Sequence, residues 1–184
     1  MLLSIVVPVY NEEENIANFY KAVTDVMSGL TYDYELIFVD DGSSDSSAMI
    51  LREIAFNDKH VKVLLLARNF GHQTALTCGL DYAHGDAVIT MDGDMQHPPA
   101  LIPELVRLWE SGYDVVRTIR DSTDDASWAK SFTSKYYYKL MNKMADVPIV
   151  EGGSDFRLMN SKALGTLKRF REHGRFLRGI VGAL

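Results

Sequence analysis

The chain has 184 residues, 47% hydrophobic and 24% charged, a composition that fits one globular domain with a sizeable core and excludes disordered and fibrous classes. A formal net charge of −6 argues against a general nucleic-acid binder, which would be basic. The one cysteine, Cys78, rules out an internal disulfide; it fits a reducing compartment and reads as a small buried hydrophobe.

Met1 runs directly into the strand pattern Leu3-Ser4-Ile5-Val6-Val7, so no secretory signal is expected. No apolar run approaches the roughly eighteen residues of a membrane span. Ser4–Val9 predicts a buried strand ended by Tyr10 and Asn11, and Glu12, Glu13 and Glu14 then suit the positive end of a helix running to about Ser28-Gly29. Tyr34–Val39 predicts the second strand. It ends in Asp40-Asp41 and Gly42-Ser43-Ser44-Asp45, where a serine or aspartate would cap a helix over about Ser46–Asn57. Val61–Leu66 is the third predicted strand, closed by Ala67-Arg68-Asn69-Phe70-Gly71-His72, and Gln73–His84 the helix after it, with Gly79 inside.

Ala87–Met91 predicts the fourth strand. Pro98 and Pro99 then start a helix over Leu101–Ser111, since proline fits a first turn and not a helix interior. Val115–Ile119 predicts a fifth strand, and Trp128–Met144 a long amphipathic helix whose Tyr136, Tyr137 and Tyr138 face different directions and suit packing. The stretch Gly152-Gly153-Ser154-Asp155-Phe156-Arg157 reads as a tight turn leading into a short strand, and Ser161–Glu172 as the last helix.

Strands alternating with helices predict an α/β fold: a mostly parallel, Rossmann-like sheet with helices on both faces, one domain over residues 1–184. In such sheets ligands bind beyond the carboxyl ends of the strands. Four strand ends carry polar signatures there: Tyr10-Asn11-Glu12, Asp40-Asp41, Arg68-Asn69 and Asp92-Gly93-Asp94. Residues two apart in an extended chain point to one side, so Asp92 and Asp94 can converge on one cation. Two hard anionic oxygens suit Mg2+ or Mn2+, which take their other ligands from phosphates and water. Neither G-x-G-x-x-G after the first strand nor G-x-x-x-x-G-K-[ST] is present, so a bound nucleotide would need such a cation on its diphosphate. His97, three residues past Asp94, is a weak candidate ligand, because histidine is uncommon on a Mg2+ site.

Together, Val6-Val7-Pro8-Val9-Tyr10-Asn11-Glu12-Glu13, Val39-Asp40-Asp41-Gly42-Ser43-Ser44-Asp45, Arg68-Asn69-Phe70-Gly71 and Asp92-Gly93-Asp94-Met95-Gln96-His97-Pro98-Pro99 resemble the motifs of family 2 glycosyltransferases. More narrowly they are similar to the polyprenyl-phosphate branch, which includes dolichyl-phosphate mannose synthases and bactoprenol glucosyltransferases. The resemblance runs from Leu3 to about Gly182 and implies the GT-A fold. It implies that Pro8, Tyr10, Glu12, Asp40, Asp41 and Arg68 serve the nucleotide, with Asp40 and Asp41 at base and ribose. Asp92 and Asp94 would hold the metal on the diphosphate of a UDP- or GDP-hexose, with Gln96 beside it. Asp155, in Ser154-Asp155-Phe156-Arg157, is the implied catalytic residue together with Asp94, and His173-Gly174-Arg175-Phe176-Leu177-Arg178-Gly179 matches the family's closing basic segment near the membrane.

The acceptor class decides what the site needs. A lipid monophosphate has a second pKa near 6, is mostly dianionic at neutral pH, and needs positive charge more than a base. Arg117, Arg120, Lys130, Lys135, Arg175 and Arg178 are candidates for it, although Asp121, Asp124 and Asp125 dilute the charge after Arg120. With a sugar hydroxyl as acceptor, deprotonation is the hard step and Asp155 the obvious base. Between Lys162 and Arg178 there are six basic residues and one acid, Glu172, a charge suited to an anionic membrane surface. Arg178 followed by Ile180-Val181 has the pattern of a cytoplasmic membrane edge, so the chain is expected to be the catalytic part of a longer protein anchored by C-terminal helices. The leading expectation is an inverting hexosyl transfer, glucose or mannose, to polyprenyl phosphate at the cytoplasmic face of the cell membrane. A saccharide acceptor in polysaccharide or cell-wall synthesis, and a non-catalytic nucleotide-sugar-binding module, are the alternatives. The sugar, the choice of Mg2+ or Mn2+, and a possible homo-oligomer stay open.

Overall fold

The central strands are buried along almost their whole length, and successive side chains turn to opposite faces. In the computed structural model, which describes residues 1–119 and 153–169, strand β1 (Leu2–Val9) turns Leu3, Ile5, Val7 and Val9 to one face and Val6 to the other. β2 (Asp33–Asp40) does the same with Leu36 and Phe38 against Ile37 and Val39. Both faces therefore need a cover. Helices α1 (Ile16–Ser28), α2 (Ser47–Asn57) and α4 (Ile102–Glu110) pack on the first face, and α3 (His72–Tyr82) and α5 (Ser161–Arg169) on the second. The apolar stripe of α1, Ile16, Phe19, Val23 and Met27, recurs at the helical spacing that puts it on one side. Phe19 meets Phe38 edge-on, with ring centroids 6.0 Å apart.

The remaining strands are β3 (Val61–Leu65), β4 (Ala87–Thr90), β5 (Val115–Ile119) and β6 (Gly153–Asn160), and the sheet order is β3-β2-β1-β4-β6-β5. β3, β2, β1 and β4 run parallel to their neighbours in that row, while β6 pairs antiparallel with both β4 and β5. The expected mostly parallel α/β sheet with helices on both faces is thus present.

Three local expectations are corrected. Glu12, Glu13 and Glu14 precede α1 and do not form its first turn; the helix starts at Ile16, and the Glu12 carbonyl accepts from the Asn15 and Ile16 amides. The Gly153–Arg157 stretch is no tight turn but the first part of the eight-residue strand β6. Its glycine and polar start hid a strand that is buried because two others flank it. After Pro98 a single 3-10 turn, Pro99–Leu101, intervenes before α4. The predicted Trp128–Met144 helix, and the last helix beyond Arg169, lie outside the described residues.

Gly79 in α3 has a steric reason. A Cβ there would lie 2.3 Å from Val6 Cγ1 and 2.9 Å from Val39 Cγ2, so only glycine lets the helix lie this close to the sheet. Among the described residues no helix is long and apolar enough to cross a membrane.

Candidate active site

The carboxyl ends of β1, β2 and β4, together with the start of α3 and strand β6, surround a cleft of about 370 Å³. Pro8, Tyr10, Glu12, Asp41 and Asp92, expected at the nucleotide, and Asp94, expected with Asp92 at the metal, line it, and Asp155 lies on its β6 side. Strand ends far apart in sequence therefore meet at one place.

The walls are fixed by backbone hydrogen bonds to polar side chains. Asn11, at a left-handed φ of 54°, accepts from the Ser44 amide (2.8 Å) and donates its own amide to Ser43 Oγ (2.9 Å). The Glu12 amide donates to Ser47 Oγ at 2.9 Å, and Glu13 accepts from the Ser46 amide at 2.8 Å. The loops after β1 and β2 are thereby zipped together. Asp45 accepts from the Ser47 amide at 2.9 Å, so it, and not Ser46, supplies the side-chain cap of α2.

Asp41 is buried. Its Oδ1 accepts from the Phe70 amide (2.8 Å) and its Oδ2 from the Gly71 amide (2.9 Å), so the carboxylate organises the loop after β3 as well as facing the cleft. Gly42, at φ +71°, makes this approach possible, because a Cβ on it would come within 2.4 Å of the Arg68 backbone. Asp40 is buried in the same turn, turned towards the Ser43 amide and outside the cleft lining. Arg68 is exposed, its guanidinium 4.8 Å from the Phe70 ring centroid. Gln96 is exposed too, and its amide donates to Asp94 Oδ1 at 3.0 Å.

The acidic turn after β4 is strained at Met95, whose φ of 62° is unusual for an unbranched apolar side chain. Gly93 packs beneath it against Val7, and Asp92 and Asp94 both face the cleft as expected. Burial pushes the Asp92 carboxyl above the ordinary carboxylate range; His72 and His97 pull it down, while Asp155 and Asp94 push it further up. Asp92 Oδ1 is buried with no hydrogen-bond partner among the described residues. A buried, crowded carboxylate oxygen beside a second carboxylate suits a hard divalent cation. Among the described residues no group of three or more His, Cys, Asp or Glu is arranged as a metal cage.

His97 sits against Asp92, its Nδ1 3.4 Å from the Asp92 amide nitrogen and 3.5 Å from Oδ2, with its ring 5.5 Å from that of Phe156. Asp155 is buried and forms an ion pair with the equally buried Arg157. Thr90 Oγ1 donates to the Asp155 carbonyl at 2.5 Å and ties β6 to β4 at this point. Sequence reasoning gave no role to His72 or Arg157. His72, the first residue of α3, places its Nε2 3.5 Å from both Asp92 Oδ1 and Asp155 Oδ2. The only sequence signal for it was its place directly after the Arg68–Gly71 strand end.

Of the cations assigned to the acceptor, Arg117 is exposed on β5, opposite Arg157 in the register and outside the described cleft lining. Arg120, Lys130, Lys135, Arg175 and Arg178 lie outside the described residues.

Comparison with known proteins bears on the family and the fold. The "uncharacterized glycosyltransferase YkcC" of Bacillus subtilis is 44% identical over 178 residues, which cover 97% of this chain and 55% of that protein. The bactoprenol glucosyl transferase of Shigella phage SfV is 40% identical over 181 residues, 98% of this chain and 59% of that protein. The chain thus spans a little over half the length of these relatives. Among solved structures, a Pyrobaculum calidifontis mannosyltransferase in complex with GDP-Man and Mn2+ matches with a TM-score of 0.60 at 20% identity, covering 90% of this chain and 46% of that one. Glucosyl-3-phosphoglycerate synthase from Mycobacterium tuberculosis, in complex with Mn2+, UDP and phosphoglyceric acid, matches with a TM-score of 0.60 at 22% identity, covering 88% and 56%. These matches give the GT-A fold. The model of glycosyl transferase family 2 matches residues 4–167, and the chain belongs to that family.

Proposed function

We propose that the chain carries the donor-binding and catalytic part of an inverting hexosyltransferase that moves glucose or mannose from a nucleotide diphosphate sugar to a polyprenyl phosphate. The observation that carries the acceptor class is the buried Asp155–Arg157 ion pair. A general base for a sugar hydroxyl must take up a proton, and protonating Asp155 would break a buried pair and leave the guanidinium without its counter-charge. A phosphate acceptor arrives already ionised and makes no such demand. The relatives named as bactoprenol glucosyl transferases support the same choice.

In the reaction, a phosphate oxygen of the acceptor bonds to the anomeric carbon while the bond from that carbon to the diphosphate oxygen breaks. The attack is in line, so the configuration inverts, and the nucleoside diphosphate departs with the electron pair. Tyr10, Pro8 and Glu12 form the nucleotide wall, with Asp41 bracing the loop beside it. Asp92 and Asp94 would hold a Mg2+ or Mn2+ ion, which supplies positive charge to the leaving diphosphate. The Mn2+ in two structural neighbours of the same fold supports a divalent ion here. The basic C-terminal segment would rest on the cytoplasmic membrane surface, where the lipid acceptor resides.

The test is a transfer assay on the protein in the presence of lipid vesicles with Mn2+ or Mg2+. UDP-glucose, UDP-GlcNAc and GDP-mannose are offered in turn, with polyprenyl phosphate as acceptor. Label is expected in the lipid phase, and the productive donor names the sugar. Label entering only a saccharide would overturn the lipid acceptor. Asp94→Ala is expected to abolish metal-dependent nucleotide binding, and Asp155→Asn to spare binding while lowering turnover; full activity in both would refute the site.

A further inference from the structure

The cleft contains a row of alternating acids and bases. Arg157 pairs with Asp155 Oδ1; Asp155 Oδ2 and Asp92 Oδ1 each lie 3.5 Å from His72 Nε2; and Asp92 Oδ2 lies 3.5 Å from His97 Nδ1. Each carboxylate thus turns one oxygen to His72 and the other to a different base. Asp92 follows β4 and Asp155 belongs to β6, so His72 faces both strands from a third element, α3.

Backbone contacts set the ring's place. Asp41 holds the Phe70 and Gly71 amides, Asn69 Oδ1 accepts from the Gly71 amide at 3.0 Å, and the Gly71 carbonyl accepts from Thr74 and Ala75 to start α3. The positive end of that eleven-residue helix favours the two carboxylates in front of it. Without a group between them, Asp92 and Asp155 would repel each other in a poorly solvated cleft. A separation of 3.5 Å is longer than an ordinary hydrogen bond, and such contacts often tighten only when substrate binds.

We propose that His72 is a positioning residue whose Nε2 bridges Asp92 and Asp155, so that the donor held at Asp92 faces the acceptor beside Asp155. The kinetic part of this inference rests on the transferase reading; the geometric part does not.

The geometric arm uses nitrogen NMR on the metal-free full chain and needs no turnover. The His72 Nε2 resonance is expected to move on Asp92→Asn and also on Asp155→Asn. A resonance that responds to one substitution only, or to neither, overturns the bridge. In the kinetic arm, His72→Ala should lower kcat roughly 10- to 100-fold while donor KM and the affinity for UDP or GDP with Mn2+ change less than about twofold. His72→Gln, with similar reach and an N–H to donate, should recover most of kcat; it also serves if the alanine variant fails to fold, which melting curves check. Unchanged kcat, or an equal loss of nucleotide affinity, overturns the assignment. If the wild type transfers sugar from no donor, the transferase reading falls, while the NMR arm still decides the bridge.

Discussion

Glu35 shows how much a single buried charge can organise at the end of the sheet away from the cleft. Its Oε1 accepts from Ser4 Oγ at 2.5 Å and from the His84 amide at 2.8 Å, and Lys62 Nζ donates to Oε2 at 2.6 Å. Ser4 Oγ in turn accepts from the Gly85 amide at 2.8 Å, so one carboxylate ties β1, β2, β3 and the turn before β4. Burial pushes the Glu35 carboxyl up, but the hydrogen bonds from Lys62, Ser4 and His84 and the lysine charge outweigh it, and the net direction is down. A carboxyl lowered on folding stabilises the protein above its unfolded pKa of about 4.3, and that stability is lost as pH falls through the folded value. Glu35→Gln should therefore cost about 1–3 kcal/mol near neutral pH, with Lys62's half-exposed ammonium limiting the loss. The gap between variant and wild type should narrow below about pH 4. Urea denaturation at several pH values checks this, and a gap that does not change with pH would refute it.

At the scale of elements, α3 links the core to the cleft. Its inner face, Ala75, Leu76, Gly79 and Leu80, packs on Val6, Ile37 and Val39, while its first residue, His72, enters the site. The distance between helix and sheet is set at Gly79. Gly79→Ala gains about 1 kcal/mol in helix propensity, but overpacking a filled core typically costs about 1–3 kcal/mol. The overlap with Val6 Cγ1 is severe and Val6 is fully buried, so a net loss of stability is expected. Removing the obstructing methyls with Val6→Ala in the same chain should make the pair less damaging than the sum of the two changes. Thermal melts of the four proteins decide it; strict additivity would mean that the helix does not press on Val6.

At the scale of the whole molecule, the sheet is covered on both faces by helices, and among the described residues a cleft opens at the strand ends. A ligand spanning the ends of β1, β2 and β4 touches elements from both halves of the described fold, so binding should stabilise the chain as a unit. Saturation at one hundred times Kd contributes about 2.7 kcal/mol, which for a chain of this size raises Tm by roughly 5–10 °C. UDP or GDP with Mn2+ is expected to give such a shift, and EDTA to remove most of it. A shift that survives EDTA undiminished would mean that the nucleotide binds without a cation on Asp92 and Asp94.

The order of the described strands and helices, the sheet class and the rim with Asp92 and Asp94 were determined by sequence, because apolar periodicity and strand-end polarity are local properties of the chain. Asp92, Asp94, Asp41 and Tyr10 could be named from the stretches in which they stand. Other features depended on contacts that only folding makes. The Gly153-Ser154-Asp155 start looks like a turn until Gly153 pairs with Ile119 of β5 and the strand runs on between β4 and β5 from Arg157. Asp41 reads as a ligand contact until the loop after β3 arrives to donate backbone amides to both its oxygens. His72 has no meaning in its own segment; Asp92 is twenty positions away and Asp155 more than eighty. Only the tertiary structure, by laying α3 on β1 and β2 so that its first residue reaches the ends of β4 and β6, brings one imidazole between two carboxylates.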